Sequence, residues 1–238
     1  MALPKLNVPQ YKVNLPSTGE QLNMRPYLVK EEKILLMALE SKDPVQISTA
    51  IRNIITNCYN LNDPDVLTSF DLEFLFLQLR AKSVGEKMAI QYKCQAEECD
   101  NVTEAEINID DLKVTGLNNE DNTFVLDEDL GVGITMRYPT LSSLSNLETI
   151  SLETADGLLD LVKICIDTIF DKDNVYKAEE QTDEELQDFI GSFTSEQFKH
   201  VQEFFAKTPA VVYNDSYVCT KCNKENEIEL KGLNSFFT

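Results

Sequence analysis

The chain has one histidine, eight glycines and, in 238 residues, no purely apolar run longer than Ile34–Leu39. Each shortage excludes something. A lone histidine, His200, set between Lys199 and Val201 in a helical pattern, reads as a surface or edge residue. No His-Glu-x-x-His run, nucleophile elbow or Gly-rich phosphate loop accompanies it, so no active-site constellation is visible and the chain reads as a non-enzyme. A run as short as Ile34–Leu39 cannot span a bilayer, and Met1–Tyr27 holds prolines and charges instead of the apolar core of a signal peptide. The expectation is a protein with no membrane partner, kept in a reducing cytosol. Positive charge is scarce as well: 21 Lys and Arg face 41 Asp and Glu, a net charge of −20. Residues 1–93 are nearly balanced, with 11 basic and 10 acidic side chains, whereas residues 94–238 carry 10 and 31. Phosphate backbones would be repelled, so nucleic acid is not expected as a partner. The acidic part is either a solvated surface or a face that docks on a basic protein.

What is present falls into five stretches. Residues 1–26 read as an extended N-terminal arm, with Tyr11, Val13 and Leu15 and then Leu22 and Met24 alternating around the turn residues Pro16–Glu20, as in a loose hairpin. Such an arm is expected to gain order on a partner. Residues 27–86 read as a helical domain. Asp43 is a cap ahead of Pro44, after which Ile47, Ile51, Ile54, Ile55 and Cys58 share one face. A third helix from about Thr68 carries Leu72, Phe74, Leu75, Phe76, Leu77 and Leu79 and is apolar almost all round. Residues 87–115 hold alternating strands around a first cysteine pair. Residues 116–210 read as an acidic, mostly helical insertion with one strand, Gly131–Tyr138. Within it Leu158, Leu161, Val162, Cys165 and Ile169 share a helical face, and Thr182 with Glu185 and Thr194 with Gln197 form capping-box pairs. Residues 211–238 hold the second cysteine pair and a tail.

The two cysteine segments look like copies. YKCQAEECDNVTEAEINI (Tyr92–Ile109) and YVCTKCNKENEIEL (Tyr217–Leu230) each run tyrosine, one residue, cysteine, gap, cysteine, polar turn and alternating tail. The gaps are four residues for Cys94 and Cys99 and two for Cys219 and Cys222, with 119 residues between the pairs. In a reducing compartment paired cysteines suggest metal ligands before disulfides. Four thiolates suit a tetrahedral Zn2+, and a fully thiolate shell leaves no position for water or substrate, so the metal would be structural. The bland alternative is that the pairs are reduced thiols at turns. Cys58 and Cys165 lie on apolar helical faces and read as core. The fold class expected is α+β, mainly helical, with a split zinc-ribbon-like β element whose two knuckles flank the helical insertion.

Several words of the sequence resemble a known family. MALPKLN (Met1–Asn7), RPYLVKEEK (Arg25–Lys33), the stretch from Phe70-Asp71 to LQLRAKSVG (Leu77–Gly85) and, with less specificity, MRYPT (Met136–Thr140) resemble the baseplate hub subunit of T-even-like contractile-tailed bacteriophages. The resemblance is strongest over residues 1–100. It implies a structural or assembly subunit of the tail baseplate hub, made in the host bacterial cytoplasm, with other hub and tail proteins as partners and no catalytic chemistry. The competing reading is a zinc-ribbon regulator of host transcription or nucleic acid, which should show a basic stripe. A metalloenzyme ranks third, because it needs a vacant metal position or more histidines.

Overall fold

The computed structural model describes residues 6–96, 98–117, 122–145 and 155–232. Met1–Lys5 of the first resembling word and residues 233–238 of the tail lie outside them. The chain folds as two compact units, one of Met1–Pro64, Phe70–Thr115 and Ala210–Thr238, the other of Asp65–Ser69 and Gly116–Pro209.

The first unit opens with an antiparallel hairpin, β1 (Tyr11–Asn14) and β2 (Gln21–Met24), in register from Tyr11 opposite Met24 to Asn14 opposite Gln21. Gly19 closes the turn at φ +73°, a left-handed conformation that glycine adopts without a steric cost. Val13, Leu15 and Met24 are buried. The Arg25 N–H donates to the Cys58 carbonyl at 3.0 Å and the Ser17 N–H to the buried Asp71 carboxylate at 3.0 Å, so the described part of the arm has its own anchorage. Helix α1 (Val29–Ser41) follows, then α2 (Pro44–Tyr59), whose cap forms as the sequence suggests: Asp43 Oδ1 accepts the Val45 N–H at 2.9 Å and proline fills the first position. Helix α3 (Ser69–Ser83) is enclosed on most sides, with Leu75, Phe76, Leu77 and Leu79 essentially without exposure. The Tyr59 hydroxyl donates to the Leu75 carbonyl at 2.8 Å and ties α2 to α3. Strands β3 (Lys87–Lys93) and β4 (Val102–Asn108) pair antiparallel, and β5 (Lys113–Thr115) leaves towards another sheet.

The second unit contains β6 (Thr123–Asp127), β7 (Val132–Met136), α4 (Leu141–Ser145), α5 (Ala155–Cys165), β8 (Ile166–Phe170), β9 (Val175–Lys177), α6 (Asp183–Gly191) and α7 (Ser195–Ala206). Its sheet runs β6-β7-β8-β9 with every neighbour antiparallel. Ile134 and Met136 from the sheet, Val162 and Cys165 from α5, Leu186 and Ile190 from α6 and Val201 and Phe204 from α7 form one core. Both capping boxes are present, on Thr182 with Glu185 and on Thr194 with Gln197. The chain then re-enters the first unit as β10 (Ala210–Val218) and β11 (Glu225–Lys231), which form a three-stranded sheet in the order β11-β10-β5.

The fold-class expectation is corrected here. The chain is 41% helical and 29% strand, with four small sheets among the described residues, and is not mainly helical. The stretch 116–210, read as mostly helical, has four strands, β6 to β9, among its described residues. All four are only three to five residues long, too short to show a period of two convincingly. Ile169, assigned by periodicity to the helix of Leu158 and Cys165, lies in β8, because α5 stops at Cys165 and the β-branched run Ile166, Thr168, Ile169 continues as strand. The split zinc-ribbon-like element is also not shown: the strands flanking the two knuckles belong to different sheets, β3-β4 and β11-β10-β5.

Candidate metal centre

Each cysteine pair is built by a turn between antiparallel strands, and the two turns close alike. In the first, between β3 and β4, the Cys94 N–H donates to the Asn101 carbonyl at 2.9 Å; in the second, between β10 and β11, the Cys219 N–H donates to the Lys224 carbonyl at 2.9 Å. Asn101 and Lys224 each stand two places after the second cysteine of their pair. The two extra residues of the first gap are therefore absorbed between Cys94 and Cys99, where the Cys99 N–H turns back to the Ala96 carbonyl at 3.0 Å. The shorter turn needs a left-handed residue and has Asn223 there, at φ 57°. Asparagine tolerates that region better than most side chains.

These turns bring all four sulfurs within 4.8 Å of one another. Cys94 Sγ lies 3.6 Å from Cys222 Sγ, and Cys99 Sγ lies 3.8 Å from Cys219 Sγ. Both approaches run between the pairs, so the 119-residue separation closes in space. All four are free thiols, three buried and Cys222 exposed. A disulfide needs sulfurs at about 2.05 Å, whereas a tetrahedron with metal–sulfur bonds of about 2.3 Å has edges of about 3.8 Å. The two sulfur separations match the second geometry, so the donor set fits a zinc-sized, thiophilic ion.

The local electrostatics also favour thiolate at one corner. Cys219 is held below the ordinary thiol range by the backbone N–H groups of Cys222 and Lys221, the latter 3.5 Å from its sulfur. The Asn101 side-chain amide donates to the same sulfur at 3.5 Å. At Cys222 the Lys224 N–H favours thiolate, but desolvation and the three neighbouring thiols outweigh it and push it up. A second thiolate beside the first therefore needs a cation to compensate it.

The sulfurs share their surroundings with a tyrosine pair. Tyr92 and Tyr217, which match in the sequence comparison of the two segments, stack with ring centroids 5.6 Å apart. The buried Asn226, on β11, has its amide between the two knuckles; sequence reading passed over it. The signal was available, since it occupies an inward position in the alternation with Ile228 and Leu230. The remaining cysteines are core residues: Cys58 and Cys165 are buried, and burial raises their thiols to about 11 and about 12. His200 is exposed, with Nδ1 3.9 Å from Glu203.

A family model described as T4 bacteriophage base plate protein matches residues 8–238. No curated protein matches the chain, and no solved structure matches it.

Proposed function

The chain belongs to the T4 bacteriophage base plate protein family, a structural subunit of the virion tail that meets other tail proteins, and from that premise we propose that it serves in the baseplate hub, with Cys94, Cys99, Cys219 and Cys222 holding one structural Zn2+. The observation that carries the metal is the convergence of four free thiols at tetrahedral spacing from two turns far apart in sequence. The hub position rests on the resembling words Arg25–Lys33 and Phe70–Gly85. Bound there, zinc would supply a cross-link that needs no oxidising compartment; the chain's own residues set its two anchor points on separate sheets. No coordination position would be left for a substrate, in keeping with a non-enzymatic role in host-cell assembly.

Contacts with neighbours are expected first on the nearly neutral helical region. Helix α1 leaves Val29, Leu36 and Met37 exposed on one side, and Val45 in the first turn of α2 has 72% of its surface exposed. The acidic residues 94–238 would face solvent or a basic protein. A regulator acting on nucleic acid is the second reading, and the charge distribution argues against it. The test is a phage carrying Cys219→Ser and Cys222→Ser, with immunodetection of the chain in purified tails and in assembly intermediates. We expect the unsubstituted chain in tails and the variant depleted from them. An unsubstituted chain absent from both would overturn the hub reading.

A further inference from the structure

Strand β11 alternates strictly, with Asn226, Ile228 and Leu230 inward and the glutamates and lysine between them outward. An asparagine with only 1% of its surface exposed in that series needs a physical reason, because an unpaired buried amide is costly. Its hydrogen bonds supply one. Asn226 Oδ1 accepts the Gln95 N–H at 2.9 Å, next to Cys94 in the first knuckle, and Nδ2 donates at 2.9 Å to the Lys224 carbonyl. That carbonyl is the one that closes the second knuckle on the Cys219 N–H. The amide orientation is fixed by its partners, since a flip would set donor against donor and acceptor against acceptor.

Resting on the metal reading above, we infer that Asn226 is the positioning residue of the four-thiol site: it joins the two knuckles through one buried amide and sets Cys94 opposite Cys222. Gln95 is held from two further sides, its Nε2 donating to the Glu227 carbonyl at 3.1 Å and its own carbonyl accepting Lys224 Nζ at 3.3 Å. Asn101 reciprocates from the first knuckle, donating to Thr220 Oγ1 at 3.1 Å and Cys219 Sγ at 3.5 Å. The Cys94 thiol also lies 3.6 Å from Asn226 Oδ1. That contact stops donating once Cys94 is a thiolate, while the two backbone-linked bonds stay. The tie therefore exists without the metal and orders both turns before the ion arrives, as supporting residues around metal ligands do.

The experiment uses the full chain, with Zn2+ titrated in competition with a chromophoric chelator and amide exchange followed at Gln95 in the metal-free and zinc-loaded states. Asn226→Ala should keep a stoichiometry of one zinc, lose roughly 10–100-fold in affinity and expose the Gln95 amide to exchange. Asn226→Asp keeps the size and the acceptor but loses the donor to Lys224 and sets a carboxylate against Cys94. It should also weaken zinc binding, and it decides the matter if the alanine variant does not fold. Zinc bound by the unsubstituted chain and held within twofold by Asn226→Asp, or by a folded Asn226→Ala, overturns the positioning role. No zinc bound by the unsubstituted chain sinks the metal reading, and this inference with it.

Discussion

Glu31 is a carboxylate with 3% of its side chain exposed, at the start of α1. Burial alone would raise its pKa. The Arg25 guanidinium at 2.8 Å, the Leu28 N–H at 2.6 Å and the nearby Lys30 outweigh burial and hold it below its ordinary 4.5. A group depressed in the folded state contributes stability that is present above its unfolded pKa and is lost as pH falls through the folded one. Glu31→Gln should therefore cost about 1–3 kcal/mol near neutrality, with the difference from the parent shrinking below pH 4.5. Denaturant titrations at several pH values measure this, and parallel pH curves for the two proteins would refute the assignment. The Tyr92–Tyr217 stack predicts the opposite kind of result. Both hydroxyls are shielded without a hydrogen-bond partner among the described residues, so the rings contribute packing and the oxygens only desolvation. Tyr92→Phe should be neutral or stabilising by up to about 1 kcal/mol, and a clear loss in thermal unfolding would contradict that account.

At the scale of elements, what the sequence disclosed was what local chemistry decides. The Asp43-Pro44 start of α2, the capping boxes of α6 and α7 and the alternation of β3 and β11 all depend on residues a few places apart. The four-cysteine cluster was legible because the two segments repeat one pattern. Strands β6, β8 and β9 were not legible, since runs of three to five residues are too short to show a period of two. Asp171 shows the difficulty: its short Asp-Lys-Asp-Asn run is a turn in which Asp171 Oδ1 accepts the Asp173 and Asn174 N–H groups at 2.8 Å each, joining β8 to β9. The centre of that sheet gives a direct test. A Cβ on Gly133 in β7 would run into the Phe170 ring and come within 2.6 Å of the Phe124 carbonyl oxygen. Gly133→Ala should destabilise the second unit by about 1–3 kcal/mol. An alanine variant as stable as the parent in calorimetry would mean that β6, β7 and β8 do not pack as described.

For the whole molecule, charge and metal set the expectations. A chain of net charge −20, all of it beyond residue 93, should bind basic tail proteins with an affinity that falls as salt screens it, and should show no mobility shift with DNA or RNA. Tight, salt-sensitive binding to nucleic acid would favour the regulator reading. Because metal binding couples to folding, a chelator should speed amide exchange first in the β3-β4 and β10-β11 hairpins, which carry the four thiols. The most direct measurement is the metal content of the chain purified without chelator, by elemental analysis beside native mass spectrometry. One zinc per chain, absent after Cys219→Ser and Cys222→Ser, is the result expected. A metal-free parent chain, or a double variant that still retains its zinc, would contradict the account.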